Sequence, residues 1–482
     1  MNRILLLLLI IIANAWATLT AEAKPAEGKT RWRGEKQHVM RLYLRDKVGC
    51  GYSIATPHRY LSQKALERRR RQHLKVDSTD LPLSAAYLNQ LNVRGIRIIG
   101  KSRWNNTVLI ASADTTLLRL ASQLPFVKQS LHVWTSPDSL HEVVKGHYRD
   151  HFNRWDSLRG DPLGMARPQI EMIGGNRLHD IDLRGQGMTI AVLDGGFQNV
   201  NLLPCFKNTT IVGTRDFVTV YEPTTPEKGP VYQGIDHGTK VLSAMAAQSP
   251  EVMMGTAPEA RYWLLRCEDP NSETPIEEDY WAMAAEFADS VGCDIINSSL
   301  GYCEYDTPYR NYRLRDLDGH SSFISHTASM LARKGIVLCN SAGNSGMGSW
   351  KKITVPADAY DILTVGAVDK NLHNASFASV GPTHDQRVKP DVVALGSGTA
   401  LISGRGTLIF DMGTSFSTPV VCGLVACLWQ GLPDKTALEI IELVRQTASQ
   451  ADEPDNIFGF GIPDFWQAYM IGQVKVGSES EE

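Results

Sequence analysis

From about residue 165 onward, short apolar runs alternate with longer stretches of helical period. Met188–Leu193 reads MTIAVL, and Tyr262–Leu265, Asp294–Asn297, Ile336–Cys339 and Ile362–Val368 have a similar texture. Continuous apolar runs of this length suit strands buried on both faces. Between them, His237–Gln248, Glu277–Val291, Ser321–Lys334 and Ser415–Gln430 predict helices. Strands alternating with helices predict an α/β fold of three layers, with a mostly parallel sheet flanked by helices. Asp434, after Pro433, is expected to cap a last helix whose inner face carries Leu438, Ile441, Val444 and Ala448.

The N-terminal part has a different texture. His38–Leu44 and Arg97–Gly100 predict strands, and Gln63–Leu74 and Thr115–Leu124 predict helices, so a small α+β unit precedes the α/β one. Arg68–Arg71 is expected to be a solvated helix face, as charge runs commonly are. Residues 130–165 are polar and read as a linker region. At the very start, Met1, Asn2 and Arg3 precede an apolar run, Ile4–Ile12, followed by Ala13, Ala15, Ala17, Ala21 and Ala23. A basic start, a short apolar core and small residues are the layout of a cleaved signal peptide. The run is much shorter than the roughly 20 residues that span a bilayer.

A chain of 482 residues exceeds one typical domain. The expected division is a signal peptide at 1–23, an N-terminal domain at 24–150, a linker at 151–165, the α/β domain at 166–470 and an acidic tail at 471–482. Charge sharpens it. The net charge is only -3, which argues against nucleic acid as a partner. Yet residues 24–164 hold 25 Lys/Arg against 12 Asp/Glu, and residues 165–482 hold 23 against 39. A basic unit followed by an acidic one suggests two domains that attract each other. The eight cysteines show no CxxC and no Cys/His metal spacing. Cys293, Cys339, Cys422 and Cys427 lie in apolar runs and are expected to be small buried residues.

The candidate chemistry sits at strand ends and helix starts. Ser415 lies in Gly413-Thr-Ser-Phe-Ser-Thr-Pro419, just before an apolar helix, with Pro419 expected in the first helical turn. A serine there is commonly a cap, but a helix N-terminus also favours developing negative charge. A serine nucleophile needs a base, and His237 in Asp236-His-Gly-Thr239 opens another helix. The base needs an orienting carboxylate. Asp194, which ends the Met188–Leu193 strand before Gly195-Gly196, is preferred to Asp236, which adjoins His237. Gly238 leaves room for another backbone or a substrate. Asn344, in Ser341-Ala-Gly-Asn344 after the Ile336–Cys339 strand, and the Ser415 N–H are candidate oxyanion donors.

Together these segments resemble the subtilase family of serine peptidases. Gly185–Gly196 resembles its aspartate motif, Asp236–Thr239 its histidine motif and Gly413–Pro419 its serine motif, all in family order over about residues 165–470. Gly195-Gly196 departs from the commoner Thr/Ser-Gly, and Phe416-Ser417 from the commoner Met-Ala. The resemblance implies a subtilisin-like fold and a secreted or periplasmic serine endopeptidase acting through an acyl-enzyme. Its catalytic residues are expected to be Asp194, His237, Ser415 and Asn344. Ser299, Leu300 and Gly301, in Asn297-Ser-Ser-Leu-Gly301, resemble the strand that pairs with substrate, and Gly343 is the further substrate-binding candidate. The resemblance also implies that the N-terminal domain is a propeptide acting as chaperone and intramolecular inhibitor. Partners are expected to be protein or peptide substrates, with the enzyme a monomer. No cofactor is required for the chemistry. Structural calcium is common in the family, and although Asp269, Asp279 and Asp318 are available, no ligand set is assigned. A pseudo-protease scaffold lacks a motive while every required group is present. A nucleotide-binding domain lacks GxGxxG and a P-loop, and a zinc peptidase lacks HExxH.

Overall fold

The computed structural model describes residues 29–31, 35–141, 160–218, 220 and 230–474. The expected signal segment, most of the expected linker and most of the acidic tail therefore lie outside the described residues.

The α/β unit is built on seven strands: β5 (Thr189–Asp194), β6 (Thr210–Asp216), β7 (Arg261–Arg266), β8 (Ile295–Ser298), β9 (Val337–Ser341), β10 (Leu363–Val368) and β11 (Val392–Leu395). Their order is β11-β10-β9-β8-β5-β7-β6 and every pairing is parallel. All six residues of β5 are buried, as expected of a central strand covered on both faces. Ile190 and Val192 join a core with α4 (His237–Ala246) and α7 (Thr414–Gly431). Ala191 and Leu193 face the opposite core, with α5 (Ile276–Val291) and α6 (Phe323–Ala328). The period of two along β5 thus divides the three layers.

The N-terminal unit is an antiparallel sheet of β1 (His38–Leu44), β2 (Arg97–Ser102), β3 (Thr107–Ser112) and β4 (Val127–Thr135), in the order β2-β3-β1-β4. One face packs on α2 (Ala85–Leu91) and α3 (Thr115–Ser122) through Leu42, Val108, Ile110 and Leu118. The other face contributes Val39, Leu109, Trp104 and Trp134 to the core around α5. A second hydrophobic face, otherwise exposed, is therefore buried against the α/β unit.

Polar contacts lock this docking. The Arg41 Nε donates to both Asp279 oxygens at 2.8 and 2.9 Å. The Glu286 carboxylate accepts from the Arg103 and Trp104 N–H groups at 2.8 and 3.2 Å. Asp289, 0% exposed, sits among Arg68, Arg69 and Arg103. Those three guanidinium groups outweigh burial and hold its pKa below the usual carboxylate value. The solvated-face expectation for Arg68–Arg71 fails at two of its four residues. Arg68 and Arg69, on α1 (Gln63–Arg71), are 3% and 2% exposed because α1 lays them against the end of α5.

Three further corrections concern local structure. The first part of the expected 130–165 linker is ordered strand, since β4 reaches Thr135. The last expected helix is α8 (Ala437–Gln446), capped by Thr436 in a capping box with Glu439 rather than by Asp434. Its inner face is shifted accordingly: Leu438 is 47% exposed, while Ala437, Ile440, Ile441 and Val444 are buried. Finally, α7 starts at Thr414, so Pro419 lies inside the helix and not in its first turn.

Candidate functional site

The C-terminal edge of the parallel sheet gathers the candidates. Asp194 ends β5, Ser299 follows β8, and Asn344 follows β9 by a short turn, so three neighbouring strands deliver them to one edge. Such an edge, where loops diverge, is where open α/β sheets hold their chemistry.

Asp194 is wholly buried. Its Oδ1 accepts the Gly195 N–H at 2.8 Å, and both oxygens face His237 Nδ1, at 3.0 and 2.9 Å. A carboxylate only accepts, so Nδ1 carries the proton and Nε2 is left as an acceptor in the neutral ring. The His237 side chain is 28% exposed. Burial lowers its pKa, but the charge and hydrogen bonds of Asp194, with Glu268 adding, outweigh it and raise the value to about 9. Asp236 points elsewhere and accepts the Gly404 N–H at 2.9 Å.

The Gly195-Gly196 pair keeps its place through backbone bonds. The Gly195 carbonyl accepts from Arg266 Nε at 3.1 Å, and the Gly196 carbonyl accepts the Gly238 N–H at 2.9 Å. A Cβ on Gly238 would stand 2.5 Å from that carbonyl, so glycine is required for the start of α4 to approach β5. The close partner expected of Gly238 is another backbone.

Ser415 is the second residue of α7 and does not cap it; Gly413 holds the N-cap position. Among the described residues its N–H has no backbone acceptor, as expected in a first turn. Its Oγ donates to the Ser299 carbonyl at a long 3.4 Å, and no hydrogen bond to His237 is formed among the described residues. Serine–histidine contacts are often loose without substrate. The His237 and Phe416 rings lie 5.7 Å apart, which keeps the imidazole beside this helix start.

Asn344 is oriented by its own acceptor. Its Oδ1 takes the Thr414 N–H at 2.9 Å and the Thr414 hydroxyl at 3.0 Å, which leaves Nδ2 as the free donor. That Nδ2 lies 3.7 Å from where a Gly413 Cβ would stand, beside Ser415. Gly343 has φ of +105°, and a Cβ there would stand 2.8 Å from Thr354 Oγ1, so glycine is needed to turn Asn344 toward α7. Leu300 is 4% exposed, with its carbonyl accepting from Asn340 at 3.3 Å. Gly301 is exposed, and among the described residues its N–H and C=O enter no backbone–backbone bond.

Two features of the site went unread in the sequence. Pro419 has no N–H, so the carbonyl of Ser415, four residues earlier, has no helical donor. The Ser299 hydroxyl supplies one at 2.8 Å. The Ser–x3–Pro spacing carried that signal. The other is Glu268, whose carboxylate would lie 2.9 Å from a Gly195 Cβ. Nothing in an isolated Glu after β7 marks it.

A cavity of about 370 Å3 lined by His320, His326, Arg333 and Tyr360 contains none of the candidate residues. Two of the three residues considered for calcium have other partners. Asp279 is bound by Arg41, and Asp318 accepts the N–H groups of His320 and Ser321. Among the described residues, no three His, Cys, Asp or Glu side chains group as a metal site. No helix of the described residues is long and apolar enough to cross a membrane.

The chain has relatives among known proteins. Subtilisin Savinase of Lederbergia lenta is 27% identical over 302 residues, covering 62% of this chain and 96% of that protein. Serine protease AprX of Bacillus subtilis is 29% identical over 330 residues, covering 58% of this chain and 65% of that one. Among solved structures, MycP3 protease from the type VII (ESX-3) secretion system is 24% identical with a TM-score of 0.49, covering 65% of this chain and 90% of that chain. The profile of the Peptidase S8 propeptide domain, Bacteroidota, matches residues 39–146, over the antiparallel sheet. The Subtilase family profile matches residues 185–461, from before β5 to beyond α8. The chain belongs to the subtilase family: it is a subtilisin-like serine-type endopeptidase carrying an N-terminal propeptide domain.

Proposed function

We propose that the chain hydrolyses peptide bonds in proteins through an acyl-enzyme, with Asp194, His237 and Ser415 as its triad. The observation that carries this reading is the buried Asp194 carboxylate on His237 Nδ1, beside a serine at a helix start. As Ser415 Oγ attacks the carbonyl carbon, His237 Nε2 takes its proton. Asp194 keeps the Nδ1–H tautomer and steadies the imidazolium. The oxyanion receives hydrogen bonds from Asn344 Nδ2 and the Ser415 N–H. Collapse breaks the C–N bond, and the amine leaves with the His237 proton. Water then attacks the ester by the reverse roles. Substrate extends along Ser299, Leu300 and Gly301, where Gly301 offers free backbone groups, and Gly343 shapes the turn facing them.

The N-terminal domain, docked by buried ion pairs on α5, acts as intramolecular inhibitor until the chain is cut between residues 130 and 165. The apolar run at residues 4–12 directs the chain out of the cytoplasm. Expressing Ser415→Ala tests the core of this reading. The variant should lose casein hydrolysis and accumulate as the uncut chain. Processing at the wild-type rate would exclude self-cleavage.

A further inference from the structure

Past the end of β7 the chain turns acidic, with Glu268, Asp269, Glu273 and Glu277 in one short stretch. β7 runs beside β5 with Arg266 opposite Asp194, and the Cys267 N–H donates to the Asp194 carbonyl at 3.0 Å. Glu268 therefore stands on the same sheet edge as the triad, on the side away from Asn344. Glu277, in the first turn of α5, folds back so that its Oε1 accepts the Asp269 N–H at 3.0 Å. Glu273 is held through its backbone, which exchanges bonds with Asp306 at 2.8 and 2.9 Å.

Among the described residues no lysine or arginine forms an ion pair with Glu268, Glu273 or Glu277. Arg266, adjacent in sequence, is committed to Asp216 at 3.1 and 3.0 Å. An independent feature points to a missing ligand. Tyr302, 1% exposed and continuing the Ser299–Gly301 segment, has a hydroxyl that finds no partner among the described residues and lies in the field of Glu277 and Glu268. Glu277 is 0% exposed, and among the described residues its Oε2 is also unpartnered. Buried polar groups left in this state cost stability unless something completes them.

We propose that this acidic set is a subsite for the cationic side chain, guanidinium or ammonium, of an Arg or Lys in a peptide lying along Ser299–Gly301. The proposal rests on the peptidase reading above. Glu268 and Glu273 are half-buried and form the entrance, while Glu277 and Tyr302 form the floor. A guanidinium carries several donors in a fixed fork and suits a set of separate carboxylates. Burial, then the charge of Asp194, raises Glu268 to about 7; burial, then Glu268, raises Glu273 to about 8. The set thus holds protons near neutrality and gives them up when a cation enters.

The test uses the processed enzyme and paired quenched peptides that differ only in arginine or its neutral isostere citrulline, placed at each position around the scissile bond. The wild type should favour arginine at one position by about tenfold or more in kcat/KM. Glu273→Gln and Glu268→Gln, both isosteric, should each reduce that ratio severalfold while melting normally. A ratio near unity at every position, or a ratio untouched by both variants, overturns the subsite. If the citrulline peptides are cut and Ser415 reacts with a fluorophosphonate, such a result leaves the peptidase reading standing. If neither holds, that reading falls as well.

Discussion

Replacing Asp194 by Asn keeps shape and removes one charge, which isolates what the carboxylate does. In the wild type both oxygens accept from His237 Nδ1. An amide puts an N–H₂ on one side, so the ring is driven to carry its proton on Nε2, where it can no longer accept from Ser415. Turnover should fall by about 10⁴-fold, the cost of the wrong tautomer in such triads. The same change has a stability signature. His237 has its folded pKa raised from 6.5 to about 9. A raised pKa stabilises the fold fully below 6.5, and the contribution disappears as pH rises through 9. The gap amounts to about 3 kcal/mol. Urea unfolding of Ser415→Ala with and without Asp194→Asn, which avoids autolysis, reads it. The double variant should be weaker at pH 6 by about 3 kcal/mol more than at pH 10. An equal deficit at both pH values would refute the reasoning.

Other outcomes follow from single contacts. Asn344→Leu should lower kcat by about 10²–10³ with little change in KM; steady-state kinetics showing a KM effect alone would exclude its oxyanion role. Ser299→Ala orphans the Ser415 carbonyl and should cost about 1–3 kcal/mol by urea unfolding, and full stability would mean that the tie is idle. Asp289→Asn leaves Arg68 without its carboxylate and should loosen docking of the N-terminal domain by about 3–5 kcal/mol. In the Ser415→Ala background this appears as faster digestion of that domain by added trypsin, and unchanged digestion would count against the ionic lock.

How far the sequence could be read depended on whether the signal was local. Buried parallel strands announce themselves as apolar runs, so β5, β8 and β9 were legible, and with them the positions of Asp194, Ser299 and Asn344. Gly238 and Gly343 are glycine for reasons of close approach and positive φ that fall beside those motifs. Charged residues were misread where their partners are distant in sequence. Arg68 meets Asp289 across 221 positions, and no periodicity in α1 foretells that. The start of α8 was missed because Asp434 and Thr436 are both good caps, and Glu439 completes the box only with Thr436. The first part of the expected linker proved to be strand because β4 is half-exposed, with polar residues facing out.

The claim on which the rest depends is that Ser415 is the nucleophile. Processed enzyme treated with a fluorophosphonate, digested and mapped by mass spectrometry, tests it directly. The account predicts one adduct, on the Ser415 peptide, appearing in step with loss of casein hydrolysis and absent from Ser415→Ala. An adduct on another serine, or an active enzyme that takes up no label, would contradict it.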